Sequence, residues 1–471
     1  MGDYFARLHS RYNPQLEADR YIEALNPDPA IDYYILIEPG LGYLVSSVHK
    51  HCPDSKVVIL HADSAAGDSV IRDSDIPMWF QGNGTSVQDF LEKTIPEGAS
   101  ARIIEWRPGL NAYKDIYPAL VRESAEFIKR SEASRRTSAA FGRRWAANFF
   151  RNLTILQQSL LYNIMDIPIV ITGSGPGLES VLPELAAARD GIFILASSSS
   201  MQALAFAGIS PDMIISTDGG NWAPRHLHAC FRREQCESSI ILAMTLNAAI
   251  PSQFSQVAAL PLNDGSLWQN IALHSIGLPS IPVPQRGTVT ATALELAMII
   301  GTGSIFLAGM DLAIRDIQSH ARPYEFDRLL FDTASRLQPM YSQACIRSGE
   351  MKAGGSHDIY AAWFKNRIAS WPARIFSLGA NHSVLNTLLP HESLQKSSKK
   401  KNAQEHFKVI PLNNPSQQRS ALAAQAIINA LADSQYSKAL SAELGSLLFP
   451  LEPGVSCAEI AEMIRIMSGS K

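Results

Sequence analysis

The chain has 471 residues, of which 46% are hydrophobic and 18% charged, a composition and length that suit two or three globular domains with buried cores. Its formal net charge of −3 includes no basic excess, which argues against nucleic acid as the main partner. The 5 cysteines lie far apart without a Cys-x-x-Cys pair, so we expect neither a disulfide framework nor a zinc site, and a reducing cytoplasmic location.

The sequence predicts no secretory signal and no membrane span. The first residues, Met1 to Arg7, contain no apolar h-region. The most apolar run, Ala291 to Ile314, is interrupted by Glu295, Gly301 and Asp311. We interpret this run as a buried helix, a turn and a buried strand rather than as a membrane helix.

Residues 1–118 predict a smaller N-terminal α/β domain. The strand candidates alternate with a helix that follows the turn Gly40–Tyr43, and this β-α-β order favours a parallel sheet. The strand candidates are Tyr33–Ile37, Val57–Leu60 and Ala101–Trp106. Residues 119–165 keep a helical periodicity and predict a helical connector.

Residues 166–320 show the clearest alternation of apolar strands with helical patterns. The predicted strands are Ile167–Ile171, Gly191–Ala196, Met213–Ser216, Ile240–Met244 and Ser304–Ala308. This alternation is typical of a doubly wound, Rossmann-like parallel sheet. Residues 321–471 predict a mainly helical C-terminal region. The expected fold class is therefore α/β.

A glycine-rich loop follows the first strand of this central domain. It consists of Gly173, Ser174, Gly175, Pro176 and Gly177. A turn from a buried strand into a helix presents backbone N–H groups and the positive end of the helix dipole, which together bind anions. The alternative is a tight turn without a ligand.

The loop does not match the known nucleotide fingerprints. The third glycine of the dinucleotide motif is misplaced, and no Gly-Lys-Ser/Thr follows as in a P-loop. Ser197 and Ser198 open a run of hydroxyls where an NAD enzyme carries an acidic residue. Such hydroxyls can donate hydrogen bonds to phosphate or sugar oxygens.

Two carboxylates and a histidine lie at or beyond the ends of later strands. Asp218 follows the third strand, where it could contact a ribose, a metal or a base amine, or simply form a turn. Asp311 follows the last strand, a frequent place for catalytic or metal-binding carboxylates. His320 lies in the polar loop beyond it and could move a proton near neutral pH, although a lone loop histidine is often only a surface residue.

A second small, hydroxyl-rich turn precedes the helix before the last strand. Gly287 is followed by Thr288 and Thr290, and this arrangement at a helix start favours an anion. The alternative is ordinary N-capping by one of the threonines.

Taken in order, these segments resemble the Maf family of motility-associated factors, the flagellin glycosyltransferases. That family shares its central domain with 6-hydroxymethylpterin diphosphokinase-like proteins. Two departures stand out, since Gly177 replaces a serine and Gly219-Gly220 follows Asp218. The segments that carry the resemblance are Gly173–Leu178, Ala196–Ser199, Ala207–Asp212, Thr217–Asp218, Gly287–Thr290, Gly309–Ala313 and His320.

The resemblance implies transfer of a nonulosonic acid, a sialic-acid-like sugar, from a CMP-activated donor to Ser or Thr of flagellin. It implies that the two small turns hold the nucleotide and its phosphate, and that Ser197–Ser199 and Asp218 hold ribose or base. His320 would exchange a proton with the acceptor hydroxyl or the leaving phosphate, and Asp311 would orient it or touch the sugar. No cofactor is required on this interpretation, and Mg²⁺ is optional.

Two other functions remain open at this stage. The first is a pterin diphosphokinase that uses ATP and magnesium, with Asp218 and Asp311 as the metal-facing carboxylates. The second is a scaffold without catalytic activity that binds flagellin or another flagellar assembly partner. All three interpretations expect no nucleic acid and no membrane span.

Overall fold

The computed structural model divides the chain into two compact units, Met1–Ala140 and Phe141–Lys471. The structure describes residues 8–63, 76–95, 99–231, 240–283, 288–353, 356–368, 371–379, 381, 383–395, 402–412, 414–450, 452 and 454–469.

The first unit contains a four-stranded parallel sheet with the strand order β3-β2-β1-β4. Its strands are β1 (Tyr33–Ile37), β2 (Lys56–His61), β3 (Met78–Phe80) and β4 (Ala101–Glu105). Its helices are α1 (Pro14–Leu25), α2 (Tyr43–His51), α3 (Val87–Thr94), α4 (Arg107–Ala112) and the first part of α5 (Tyr117–Ile155). β1 is buried along its whole length because helices cover both faces of a parallel sheet.

The second unit contains a ten-stranded sheet with the order β13-β12-β6-β7-β8-β9-β10-β5-β14, and β11 pairs with β10. The described pairings are parallel except for that of β14 with β5. The strands are β5 (Gln158–Tyr162), β6 (Ile169–Thr172), β7 (Phe193–Ser197), β8 (Met213–Ser216), β9 (Ile241–Thr245), β10 (Ala259–Asn263), β11 (Ile281–Pro282), β12 (Ile305–Ala308), β13 (Ile375–Ser377) and β14 (Phe407–Pro411).

Helices cover both faces of this sheet, so the predicted doubly wound α/β fold is confirmed. Successive residues of β6 point to opposite faces: Val170 belongs to the core that includes Leu178 and Val181, and Ile171 belongs to the core that includes Ala291 and Leu294. The helices are α6 (Leu178–Ala188), α7 (Met201–Phe206), α8 (Ala223–Phe231), α9 (Leu267–Ile276), α10 (Val289–Ile300), α11 (Glu325–Thr333), α12 (Met340–Ala353), α13 (Ser356–Ile368), α14 (Ser383–Leu388), α15 (Ser416–Ala432), α16 (Ser437–Leu448) and α17 (Cys457–Ser468).

The strand order reverses at β6. From β6 the chain adds β7, β8, β9 and β10 on one side, whereas β12 pairs with β6 on the other side. In open α/β sheets, ligands bind outside the carboxyl ends of the strands at such a reversal. A ligand site is therefore expected at the loops after β6, β7 and β12.

Three strands lie in segments that the sequence predicts to be helical. Gln158–Tyr162 is strand β5, although it falls within the predicted helical connector. β13 and β14 join the sheet from the region predicted to be mainly helical, whose other described elements are mostly helices. These strands span three to five residues, too few for a period of two to stand out in the sequence. The division into four segments stays a prediction.

Within the described ranges, no helix combines the length and the apolar character that crossing a bilayer requires.

Candidate active site

The glycine-rich loop joins β6 to α6 at the strand-order reversal and is bonded to the loop after β12. Gly175 N–H donates to the Gly309 carbonyl at 2.8 Å. Gly177 N–H lies 2.9 and 2.8 Å from the two carboxylate oxygens of Asp311. The start of α6, which the sequence offers to an anion, therefore already holds a carboxylate of the protein itself.

Close packing explains two glycines of this loop. A Cβ on Gly173 would meet the Gly309 carbonyl and, at 3.3 Å, Cγ2 of Thr290. A Cβ on Gly175 would collide with the Asp311 carboxylate. The structure thus brings the glycine loop, Thr290 and Asp311 close together.

Asp311 is only 5% exposed. Burial raises the pKa of its carboxyl, and the Gly177 N–H and the nearby Arg315 guanidinium oppose that rise. Arg315 lies 3.1 Å away in an ion pair. With Gly177 and Arg315 as its partners, the carboxylate holds two loops in place; its predicted contact with a sugar or with His320 stays a prediction.

A chain of hydroxyls lines the ends of β6 and β7. Ser199 Oγ donates to Ser174 Oγ at 2.9 Å, and Ser197 Oγ lies 3.2 Å from Ser199 Oγ. Ser174 and Ser199 are partly exposed, whereas Ser197 is buried. Ser198 is also buried, at the start of a short 3-10 turn. The structure therefore joins Ser174 to Ser197 through Ser199, which leaves two hydroxyls accessible to a ligand.

The loop that carries His320 is held against the glycine loop. Ala321 N–H donates to the Ser174 carbonyl at 2.8 Å. Glu179, in the first turn of α6, accepts from the Gln318 side chain at 2.6 Å and from Arg322 N–H at 2.8 Å. Three hydrogen bonds thus place the residue next to His320 beside the hydroxyl chain.

The imidazole of His320 is held rigidly and kept neutral. Its ring stacks on Tyr324 with centroids 3.9 Å apart and planes 4° from parallel, and Nδ1 lies 2.8 Å from Ser319 Oγ. Burial lowers the pKa of His320 to about 3, with further lowering from Arg347, His226 and His357. The ring is therefore uncharged at neutral pH, and a negative ligand nearby would raise its pKa.

His320 belongs to an aromatic–basic cluster, which we define as His226, His320, Tyr324, Phe326 and Arg347. The His226 ring lies 5.5 Å from the Tyr324 ring and 5.1 Å from the Phe326 ring. The guanidinium carbon of Arg347 lies 5.1 Å from the Phe326 ring centroid, and its charge opposes the rise that burial causes in the pKa of Tyr324. Burial lowers the pKa of His226 to about 4.

Asp218 lies beside this cluster, in the exposed loop after β8. Its Oδ1 accepts from Gly220 N–H at 2.7 Å, which is the turn-forming role that the sequence left open. Its negative charge opposes the lowering of the His226 pKa by burial, and it adds to the rise that burial causes in the pKa of Tyr360. Asp218 is thus electrostatically coupled to the cluster while its carboxylate stays accessible.

The threonines before α10 act in part as a cap. Thr288 is the N-cap residue, and its Oγ1 accepts from Ala291 N–H at 3.0 Å. Thr290 Oγ1 lies 3.4 Å from Thr288 Oγ1. Gly287 lies outside the described residues. Thr288 therefore caps the helix, which is one of the two roles that the sequence left open for these threonines. Binding of a phosphate by either threonine stays a prediction.

The comparison with protein families addresses this same part of the chain. Residues 143–316 match the family model described as 6-hydroxymethylpterin diphosphokinase MptE-like. The resemblance predicted from the motif order is confirmed for this region, which we call the MptE-like region. It includes the glycine loop and Asp311 and ends before His320.

Similar proteins and structures extend beyond the MptE-like region. Two proteins of Treponema pallidum (strain Nichols), each described as an uncharacterized protein, are 30% identical over 284 residues and 23% identical over 245 residues. These alignments cover 59% and 50% of this chain and 60% and 42% of the relatives, so the chain spans less than two thirds of either. The structure of MAf glycosyltransferase from Magnetospirillum magneticum AMB-1 aligns with 98% of this chain and 79% of its own, at 12% identity and a TM-score of 0.44.

The two carboxylates proposed for a metal have other partners in the MptE-like region. Both oxygens of Asp311 face Gly177 N–H, and one also pairs with Arg315. Asp218 bonds to its own loop. Among the described residues, no group of three or more His, Cys, Asp or Glu side chains is arranged to hold a metal ion. Magnesium binding therefore stays a prediction.

Sequence reasoning found the glycine loop and His320 and missed His226, Tyr324 and Arg347. A signal for His226 and Tyr324 was present, because His226 lies in the first turn of the helix after the Asp218 loop and Tyr324 lies four residues beyond His320. Arg347 lies on α12, and only the folded chain brings α12 against α11. No pattern in the sequence connects it with the site.

Proposed function

We propose that this chain is a glycosyltransferase that moves a nonulosonic acid from a CMP-activated donor to Ser or Thr of flagellin or a similar acceptor, in the cytoplasm. One observation carries the proposal. The hydrogen bond from Ala321 N–H to the Ser174 carbonyl joins the loop of a neutral histidine to the loop of accessible hydroxyls, at the carboxyl edge of the sheet. The motif order and the MptE-like match support it.

The proposed reaction needs positioning more than covalent chemistry. Ser174, which accepts a hydrogen bond from Ser199, donates its own hydroxyl proton to the donor phosphate, whose charge raises the pKa of the nearby His320. His320 then accepts the proton of the acceptor hydroxyl through Nε2, since Nδ1 faces Ser319. The acceptor oxygen forms a bond to the anomeric carbon as the bond from that carbon to the phosphate oxygen breaks, and CMP leaves.

The first test is a thermal-shift screen with CMP, CMP-linked nonulosonic acids, and ATP with and without magnesium. A ligand that binds the folded state raises the melting temperature. We expect a shift with the CMP compounds that does not depend on magnesium, followed by transfer to flagellin. No shift with any nucleotide contradicts the proposal and favours the scaffold function.

Matched serine variants locate the binding site. Ser174→Ala and Ser199→Ala each remove one accessible hydroxyl, and we expect each to weaken CMP binding by about tenfold. Ser252→Ala, which removes an exposed serine at the start of another turn, should bind as the wild type does. Equal affinities for all three variants would contradict phosphate binding at the hydroxyl chain.

A second candidate, a pterin diphosphokinase, is favoured by the description of the family that matches residues 143–316. It would transfer diphosphate from ATP and use magnesium through Asp218. A thermal shift that requires ATP and magnesium together, with no shift from CMP compounds, would select this candidate over the glycosyltransferase.

A further inference from the structure

We propose that Arg347 binds an anionic group of the ligand, a carboxylate or a phosphate, in the candidate active site. The inference rests on the proposed function, because it assigns a residue to the recognition of that reaction's donor. It adds a subsite beyond the MptE-like region, built by the helices α11 and α12.

Packing fixes the position of the Arg347 guanidinium. α12, which carries Arg347, packs against α11, which carries Phe326. The guanidinium carbon lies 5.1 Å from the centroid of the Phe326 ring, and the Phe326 ring lies 5.6 Å from the Tyr324 ring, which stacks on His320. Packing on Phe326 therefore places a planar group with several N–H donors near the stacked rings of Tyr324 and His320, an arrangement suited to bidentate binding of an oxyanion.

In the described part of the chain, no carboxylate forms an ion pair with Arg347 within 4.0 Å. Asp327 is near enough for the charge of Arg347 to oppose the rise that burial causes in its pKa, but its ion pair is with Arg322, at 3.5 Å. The charge of Arg347 also lowers the pKa values of His226 and His320. A half-buried cation beside two imidazoles favours a negative partner, which the ligand would supply.

The negative charge of Asp218 and the positive charge of Arg347 act differently on a bound ligand. Asp218 raises the pKa of His226, whereas Arg347 lowers it, so the two charges act on the same ring with opposite signs. An anionic group is attracted to the Arg347 end, and the hydroxyls or amines of a sugar or base are favoured at the Asp218 end. The ligand class that fits is a nucleotide sugar with a negatively charged group away from Asp218.

The experiment measures dissociation constants by calorimetry at constant ionic strength for CMP, free N-acetylneuraminic acid, CMP-N-acetylneuraminic acid and inorganic phosphate. Arg347→Gln and Arg347→Met remove the charge, and the methionine keeps the apolar packing on Phe326. Arg328→Gln is the matched control, since it removes an exposed arginine that pairs with Asp332. We expect Arg347→Gln and Arg347→Met to bind about tenfold to a hundredfold more weakly, and Arg328→Gln to bind normally.

The choice of probes separates the sources of the anion. Equal weakening for CMP and CMP-N-acetylneuraminic acid identifies the phosphate as the group bound, and weakening confined to the acid sugars identifies the carboxylate. Wild-type affinity of either folded Arg347 variant for every probe overturns this inference and leaves the proposed function standing. Failure of the wild type to bind any probe overturns both.

Discussion

The buried histidines of the aromatic–basic cluster should make the second unit sensitive to acid. The folded pKa values of His320 and His226 are about 3 and about 4, below the value of about 6.5 for an unfolded histidine. The unfolded chain therefore binds more protons than the folded one between these values. The contribution of these two histidines to the free energy of unfolding is therefore fully present above about pH 6.5. It is lost as the pH decreases toward 4.

The size of this effect follows from the two pKa differences. At pH 5, protonation of one unfolded histidine lowers the free energy of unfolding by about 2 kcal/mol if the folded ring stays neutral. Two such residues give an upper limit of about 4 kcal/mol, and partial exposure of both rings reduces it, so we expect about 2–3 kcal/mol. The buried carboxyls of Asp264, Asp311 and Glu443 have raised pKa values and act in the opposite direction.

Variants separate the histidines from these carboxyls. Urea denaturation at pH 7.5 and pH 5.0 gives the loss of stability for the wild type and for His226→Phe/His320→Phe, in which aromatic packing is retained. We expect the double variant to lose about 2–3 kcal/mol less than the wild type between the two pH values. His49→Gln, which removes an exposed histidine, is the control. The same loss in the wild type and the double variant would refute the reasoning.

Three further predictions concern the loops that shape the site. Asp311→Ala leaves the buried Gly177 N–H without its acceptor, so the free energy of unfolding in urea should fall by about 1–3 kcal/mol. Gly175→Ala places a Cβ against the Asp311 carboxylate and should lower it by a similar amount, measured in the same way; a neutral result would contradict the close packing of the two loops. Thr288→Ala removes the cap of Ala291 N–H and should cost about 1 kcal/mol in the same assay, and an unchanged midpoint would contradict the capping role.

The strands that the sequence predicts well are those with continuous apolar runs. β8 is predicted at its observed bounds, and β7 and β12 within a few residues, because central parallel strands are buried on both faces. β10 was missed because Pro261 interrupts it. The structure tolerates Pro261 because β10 pairs on one side with β5 at Ala259 and with β11 only from Leu262, so the proline falls between two partners.

In the candidate site, too, residues next to a predicted strand could be identified from the sequence, whereas contacts between distant segments could not. The glycine loop, Ser197 and Asp311 could be found because each directly follows a predicted strand, and parallel strands end at one edge. Their contacts could not be found, because hydrogen bonds between Asp311 and the start of α6 depend on the register of β6 with β12. Arg347 joins the site through helix packing, which leaves no periodic signal in the sequence.

The contact between Asp311 and Gly177 moves the most favourable anion position away from the glycine loop. From the sequence, the start of α6 and Asp311 are predicted as two separate parts of a ligand site. In the structure they bind each other, because Gly177 N–H at the start of α6 donates to the Asp311 carboxylate. Among the described residues, the Ser174 hydroxyl, which accepts from Ser199, and the guanidinium of Arg347 are then candidate donors to an anion. Because an anion between them would also raise the pKa of His320, donor binding itself would turn a neutral ring into a competent proton acceptor.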